Sequence, residues 1–212
     1  MPLYKKEKFD DGGMLAIWKI TESEEELKII ASLPVSDQKN IEQMQALQRR
    51  IESYAVRALL VEIFDEPVHI GYKEGNCPYI KNMCQSISIS HSGEFACVYI
   101  HKNAKVGIDI ESLSRNFNTV SKKILSQNEH KYLVEKHEQV QLALIWSAKE
   151  AIYKLMGERN INFSKQMEVA QFIPYNNEGK LNATFVNADG DKHNLELFYQ
   201  IFDGYVMVWG AM

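Results

Sequence analysis

The chain is short of cysteine, of long apolar runs and of positive charge, and each shortage excludes something. Three cysteines occur in 212 residues, Cys77, Cys84 and Cys97. An odd count rules out a fully paired disulfide framework, and their spacing matches no zinc-binding pattern. Cys97 sits in an apolar run and reads as a buried thiol, so the expected setting is a reducing, cytoplasmic one. The lysines within Met1–Phe9 are followed by no apolar stretch that would make a secretion signal, and no segment approaches the length of a membrane span. Net charge is −4, from 24 basic and 28 acidic side chains, which is not the footprint of a nucleic-acid binder. Low-complexity tracts and glycine- or proline-rich linkers are missing too. No nucleic acid and no membrane are expected as partners.

What is present suits a globular chain: 45% of residues are hydrophobic and 25% charged. Met14–Ile20 reads as a strand and Ser23–Ala31 as a short helix ended by Pro34. A long helical pattern runs from Ser36 to about Phe64, with Met44, Leu47, Ile51, Tyr54, Ala55, Ala58 and Leu59 at spacings of three and four. Val68–Ile70, Ser86–Ser90, Glu94–His101 and Val106–Glu111 read as strands, with His91-Ser92-Gly93 as a tight connection. Asn118–Leu125 is helical. Ser126-Gln127-Asn128-Glu129 forms a capping box that opens a helix to His137, and Gln139–Met156 is a further helix stopped by Gly157. Four strands follow, Glu168–Ile173, Leu181–Val186, Asn194–Phe202 and Tyr205–Trp209. Each half runs from helices to strands, so the expected class is α+β with two closely packed subdomains, 1–104 and 105–212. A cleft between such halves would suit a ligand.

Two motifs carry chemistry. Val106-Gly107-Ile108-Asp109-Ile110-Glu111 alternates, so as a strand it points Asp109 and Glu111 to one side. Trp146-Ser147-Ala148-Lys149-Glu150-Ala151-Ile152-Tyr153-Lys154 reads as a helix with Trp146, Glu150 and Lys154 on one face. Taken alone, D-x-E is more often a solvated strand face, and E-x-x-x-K a surface pair. Trp146 on the same face argues for burial, and a buried pair without a ligand is costly to desolvate. Three carboxylates and a lysine converging this way suit magnesium, which takes oxygen ligands, holding a phosphorylated substrate. In Ser88–Gly93, Ser90 and His91 offer hydrogen bonds to phosphate, although an ordinary hairpin turn explains them equally in isolation. Lys39, Arg50 and Arg57 fall on nearly one line of the long helix, either a snorkelling rim or a set of phosphate donors.

Together these strings resemble the 4′-phosphopantetheinyl transferase superfamily. The resemblance rests on Ile89-Ser90-His91-Ser92-Gly93, Gly107-Ile108-Asp109-Ile110-Glu111 and Trp146-Ser147-Ala148-Lys149-Glu150 through Lys154, in that order. Arg49-Arg50-Ile51-Glu52 and Arg57-Ala58-Leu59-Leu60 resemble the arginine-rich helix of the longer, single-chain, monomeric members. What this implies is transfer of the phosphopantetheine arm of coenzyme A to a serine of an acyl or peptidyl carrier protein, releasing adenosine 3′,5′-bisphosphate. The implied fold has two similar, pseudo-twofold-related halves, each with helices on a small, mainly antiparallel sheet, and coenzyme A between them. Asp109, Glu111 and Glu150 would hold Mg2+. Glu150 would also serve as base, directly or through water, with Lys154 stabilising the leaving phosphate. Coenzyme A would be held by Lys39, Arg49, Arg50, Lys73, Ser90 and His91. The carrier would dock near Phe117–Leu133, where Lys122, Lys123 and Lys131 are positive. Members commonly carry Gly-Lys-Pro before the Ser-His turn; here Gly75-Asn76-Cys77-Pro78 has Cys77 in the lysine's place, with Lys73 nearby.

Two other readings compete. A metal-dependent nuclease would use a similar acidic pair and lysine, but it calls for a basic face. A degenerate paralogue would bind coenzyme A or a carrier without transfer, and the Cys77 departure is its support.

Overall fold

Leu3–Lys8 alternates inward and outward residues and forms an edge strand, β1, which the sequence reading did not assign. In the computed structural model, which describes residues 2–212, it pairs antiparallel with β2, Gly13–Lys19. The chain divides into two compact units, Met1–Ala104 and Lys105–Met212. The α+β class holds: both contain antiparallel sheets and helices.

In the first unit Ser23 caps helix α1, Glu24–Ala31, through a capping box with Glu26. The long helix expected from residue 36 to 64 is instead two helices, α2, Val35–Glu42, and α3, Leu47–Phe64. No breaker residue marks the gap at 43–46; tertiary contacts impose it. Lys28 of α1 pairs with Glu42, and Ile41 is buried. The Arg50 fork binds Glu24 at 2.7 and 3.2 Å and donates to the Met44 carbonyl at 3.0 Å, tying the turn down. Lys39 therefore shares no helix with Arg50 and Arg57, and the expected line of three cations does not exist. Met44 and Leu47 are exposed rather than core; Tyr54, Ala55, Ala58 and Leu59 are fully buried. They belong to one core with Ala16 and Trp18 of β2. A hairpin, β3 (Ile70–Tyr72) and β4 (Pro78–Ile80), precedes β5, Ser86–Ser92, and β6, Phe95–His101. The main sheet runs β1-β2-β6-β5. His91 and Ser92 are still paired in β5, opposite Ala96 and Phe95, so the turn is Gly93-Glu94 rather than His91-Ser92-Gly93.

The second unit opens with β7, Val106–Ser112, followed by α4, Asn118–Ile124, and α5, Gln127–Tyr132, capped by Ser126 and Glu129. Helix α5 stops at Tyr132, and a separate 3-10 turn covers Glu135–His137, where one helix to His137 was expected. Helix α6, Glu138–Met156, ends at Gly157, whose φ of 66° is the left-handed conformation that glycine adopts without penalty. A short helix α7, Phe163–Gln166, leads into β8, Met167–Val169. Strands β9 (Glu178–Val186), β10 (Lys192–Phe202) and β11 (Tyr205–Ala211) complete a sheet of order β7-β11-β10-β9-β8. Leu144, Ala148, Ala151 and Ile152 of α6 form the core with Leu181, Phe185, Leu197, Val206 and Val208 of that sheet.

A buried ion pair locks these pieces together. Lys149 and Glu129 side chains are both 0% exposed, with Nζ to Oε2 at 2.7 Å. Lys149 also donates to the carbonyls of Ile124 (2.7 Å) and Phe163 (3.1 Å), using all three ammonium protons. Glu129 accepts from the backbone N–H of Ser126 at 2.6 Å and of Val169 at 2.8 Å. One pair thus joins α4, α5, α6, α7 and β8. Burial pushes the Lys149 pKa down, opposed by Glu129. Removing one partner strands the other charge, so Lys149→Met is expected to cost about 3–5 kcal/mol in urea unfolding. Adding Glu129→Gln to it should recover part of that loss, because no charge then remains buried.

Candidate active site

The site of the second unit depends on how closely β7 lies against α6. A Cβ on Gly107 would fall 2.0 Å from the Ala151 carbonyl oxygen and 2.8 Å from Leu155 Cβ, so only glycine permits the contact. With the strand seated there, its next two inward residues, Asp109 and Glu111, meet the face of α6 that carries Trp146, Glu150 and Lys154. Lys154 Nζ donates to Asp109 Oδ1 at 2.8 Å and to the Ile108 carbonyl at 2.9 Å. Trp146 Nε1 donates to Glu111 Oε1 at 2.7 Å. Ile108 and Ile110 point to the opposite face of the strand and are buried.

Arg115, which no motif singled out, completes the cluster. Its guanidinium pairs with Glu111 Oε1 and lies over the rings of Trp146 (4.8 Å) and Phe117 (5.5 Å). Gln139 at the start of α6 donates to the Leu113 and Arg115 carbonyls at 2.9 and 2.8 Å, pinning that segment. Lys149 was also passed over, although its place gave a signal: four residues after Ile145 and three before Ile152, it stands in the apolar stripe of α6.

Glu150 differs from its neighbours. Among the described residues no side chain donates to its carboxylate. Burial pushes its pKa up to about 7, the Asp109 charge adds to this, and Lys154 opposes it, with Glu111 and Arg115 weaker. Glu111 is raised as well, by burial and then by Asp109, against the Trp146 hydrogen bond and the two cations. The three carboxylates feel one another's charge, yet no group of three His, Cys, Asp or Glu among the described residues is arranged to hold a metal ion as it stands. Lys154 and Arg115 take the positions on Asp109 and Glu111. In chemistry the donor set fits a hard divalent cation: all oxygen, and with Glu150 lacking a counter-charge of its own.

The phosphate candidates of the first unit separate. Arg49 is 65% exposed at its side chain; its Nη1 lies 3.3 Å from His91 Nε2. His91 Nδ1 lies 3.1 Å from Glu52 Oε2. Arg50 spends its fork on Glu24. Ser90 is buried and, one residue from His91, points to the other face of β5, so the two do not converge. Lys39 is exposed on α2. Lys73 and Cys77 face each other across the β3–β4 loop, Lys73 N–H to Cys77 carbonyl at 2.9 Å, with Lys73 Nζ 5.8 Å over Tyr79. Arg57 is buried and donates to the Ser53 carbonyl. Lys122, Lys123 and Lys131 are all exposed.

Glu150 yields a stability test. Its carboxyl binds its proton more tightly folded than unfolded, so stability is full below about pH 4.5, falls as pH rises toward 7, and stays low above it. Glu150→Gln removes that penalty. In urea unfolding it should gain about 1–3 kcal/mol over the parent at pH 8 and nothing near pH 4; an equal difference at both pH values would refute the assignment.

Residues 105–207, nearly all of the second unit, match the family model described as the 4′-phosphopantetheinyl transferase superfamily. Comparison with curated proteins finds no match.

Proposed function

Since residues 105–207 are a domain of the 4′-phosphopantetheinyl transferase superfamily, we propose that this transferase moves the phosphopantetheine arm of coenzyme A to a serine of an apo acyl or peptidyl carrier protein. The reading adds dependence on magnesium and release of adenosine 3′,5′-bisphosphate. The observation that carries it is the Glu150 carboxylate, half-buried, without a donor among the described residues, and within the fields of Asp109, Glu111 and Lys154.

In this reaction the serine oxygen attacks the pyrophosphate phosphorus that bears the pantetheine arm. The bond from that phosphorus to the bridging oxygen breaks, and adenosine 3′,5′-bisphosphate leaves with the electron pair. A serine hydroxyl is a poor nucleophile near neutral pH and needs a base. Glu150, whose carboxyl burial raises above the usual range, is the residue assigned to take that proton, directly or through a water. Lys154 carries positive charge beside Asp109 and serves the phosphate as negative charge builds on the leaving oxygen. Asp109, Glu111 and Glu150 would hold the magnesium, which when bound offsets the charge of the pyrophosphate. On the first unit we assign phosphate contacts to Arg49, His91, Lys73 and Lys39, which present exposed or half-exposed donors, ahead of Arg50, whose fork is spent on Glu24, and Ser90, which is buried. Lys122, Lys123 and Lys131 suit the acidic surface of a carrier.

The test is intact mass of an apo acyl carrier protein incubated with the protein, coenzyme A and magnesium. A gain equal to the phosphopantetheine arm is expected, lost with EDTA and slowed about 100-fold or more in Glu150→Gln. No gain on several unrelated carriers, with coenzyme A still bound, would turn the reading to a binding protein without transfer.

A further inference from the structure

Arg115 is held at the acidic cluster by contacts of two kinds. Its Nη1 donates to Glu111 Oε1, and the same oxygen accepts from Trp146 Nε1 at 2.7 Å. Its guanidinium also lies over the rings of Trp146 and Phe117, 4.8 and 5.5 Å from their centroids. Phe117 is buried, whereas the Arg115 side chain is 38% exposed. The backbone beneath it is pinned, because Gln139 donates to the Leu113 and Arg115 carbonyls. The side chain can therefore swing from a base that stays in place.

Lys154 is placed differently. Its Nζ donates to Asp109 Oδ1 and to the Ile108 carbonyl, two directional bonds that tie α6 to β7. Arg115 has one ion pair, and a ring face attracts a cation with little directional demand. Of the two cations beside the three carboxylates, Arg115 is the one on which no contact between strand and helix depends.

A divalent cation and this guanidinium make conflicting demands on Glu111. A small hard cation needs several oxygens at one centre. With Glu111 Oε1 turned to Arg115, the three carboxylates are not so arranged. A cation on the other Glu111 oxygen would face the guanidinium across a single carboxylate, in a partly buried setting where like charges repel strongly. Release of Arg115 meets both demands. Because Trp146 donates to that same oxygen, a guanidinium that leaves Glu111 leaves the indole face with it.

We propose that Arg115 is a displaceable counter-ion, which a divalent cation must drive off both Glu111 and the Trp146 ring in order to bind. Arg115 thereby sets the affinity of the site for the metal. This rests on the magnesium reading above and deepens it. Arg115 is a positioning residue and acts through Glu111.

The experiment is titration of the full chain with Mg2+, followed by calorimetry and by tryptophan emission. Arg115→Gln should bind Mg2+ about tenfold more tightly than wild type, since the ion no longer has to break a charged hydrogen bond. In wild type the metal should change the emission as the guanidinium leaves the indole. Trp146→Phe should abolish that change, although Trp18 and Trp209 remain. Arg115→Gln should start with the emission of metal-loaded wild type and change little on titration. Equal or weaker binding by Arg115→Gln overturns the proposal. So does tighter binding with an unchanged wild-type emission, the result expected if Arg115 acts only through its charge at a distance. An equal emission change in both proteins overturns it too, since the metal and not the guanidinium then causes the change. In each of these cases the magnesium reading stands, whereas no binding to either protein, with or without coenzyme A, overturns both.

Discussion

The flush contact of β7 with α6 at Gly107 is the constraint on which the candidate active site depends. Strand and helix are held so close that a single methyl group would sit 2.0 Å from a helix carbonyl. Because side chains alternate along a strand, that anchor fixes where Asp109 and Glu111 emerge, two and four residues on. Because a helix repeats every 3.6 residues, it also fixes which helix face they meet. The Lys154–Asp109 and Trp146–Glu111 hydrogen bonds then follow from backbone geometry. The buried Lys149–Glu129 pair holds α6 from another side, so the helix that carries Glu150 is fixed from both directions.

Rigid support makes it possible to keep a group where it is unfavourable. Glu150 is desolvated, close to two other acids and given no donor among the described residues, and its pKa rises accordingly. A sequence selected for stability alone would place a neutral residue there. An acid at such a point costs stability, and that cost supports the catalytic role proposed for Glu150. Arg115 and Lys154 limit the penalty by neutralising Glu111 and Asp109, yet neither donates to Glu150.

Local signals in the sequence were legible where the physics is local. The Ser126–Glu129 capping box and the Gly157 stop depend on residues within a turn of one another, and both stand as read. The break between α2 and α3 does not: residues 43–46 contain good helix formers, and the chain turns there because Arg50 reaches back to Glu24 and Lys28 reaches Glu42. The His91-Ser92-Gly93 turn was read one step early because polar residues in a strand look like a loop when the partner strand is not known. In the candidate site, the spacing of Trp146, Glu150 and Lys154 and the alternation of Asp109 and Glu111 were legible as faces. Their partners were not, and Arg115 was hidden because it acts from a loop through ring contacts and one ion pair.

Cation–carboxylate pairs recur through the chain, and the pairing alone does not say which serve binding. What separates them is unused hydrogen-bonding capacity. Lys149 has three protons and three protein acceptors, and is 0% exposed: nothing is left for a ligand. Arg50 directs all three of its nitrogens at Glu24 and the Met44 carbonyl, and so holds helices together. Arg49 commits one nitrogen to His91 and leaves the others toward solvent, beside an imidazole backed by a buried carboxylate. By the same accounting, Glu150 is the acid of its cluster to which, among the described residues, no side chain donates. The residues to which binding and proton transfer are assigned are those whose polar atoms the fold supports but does not use up.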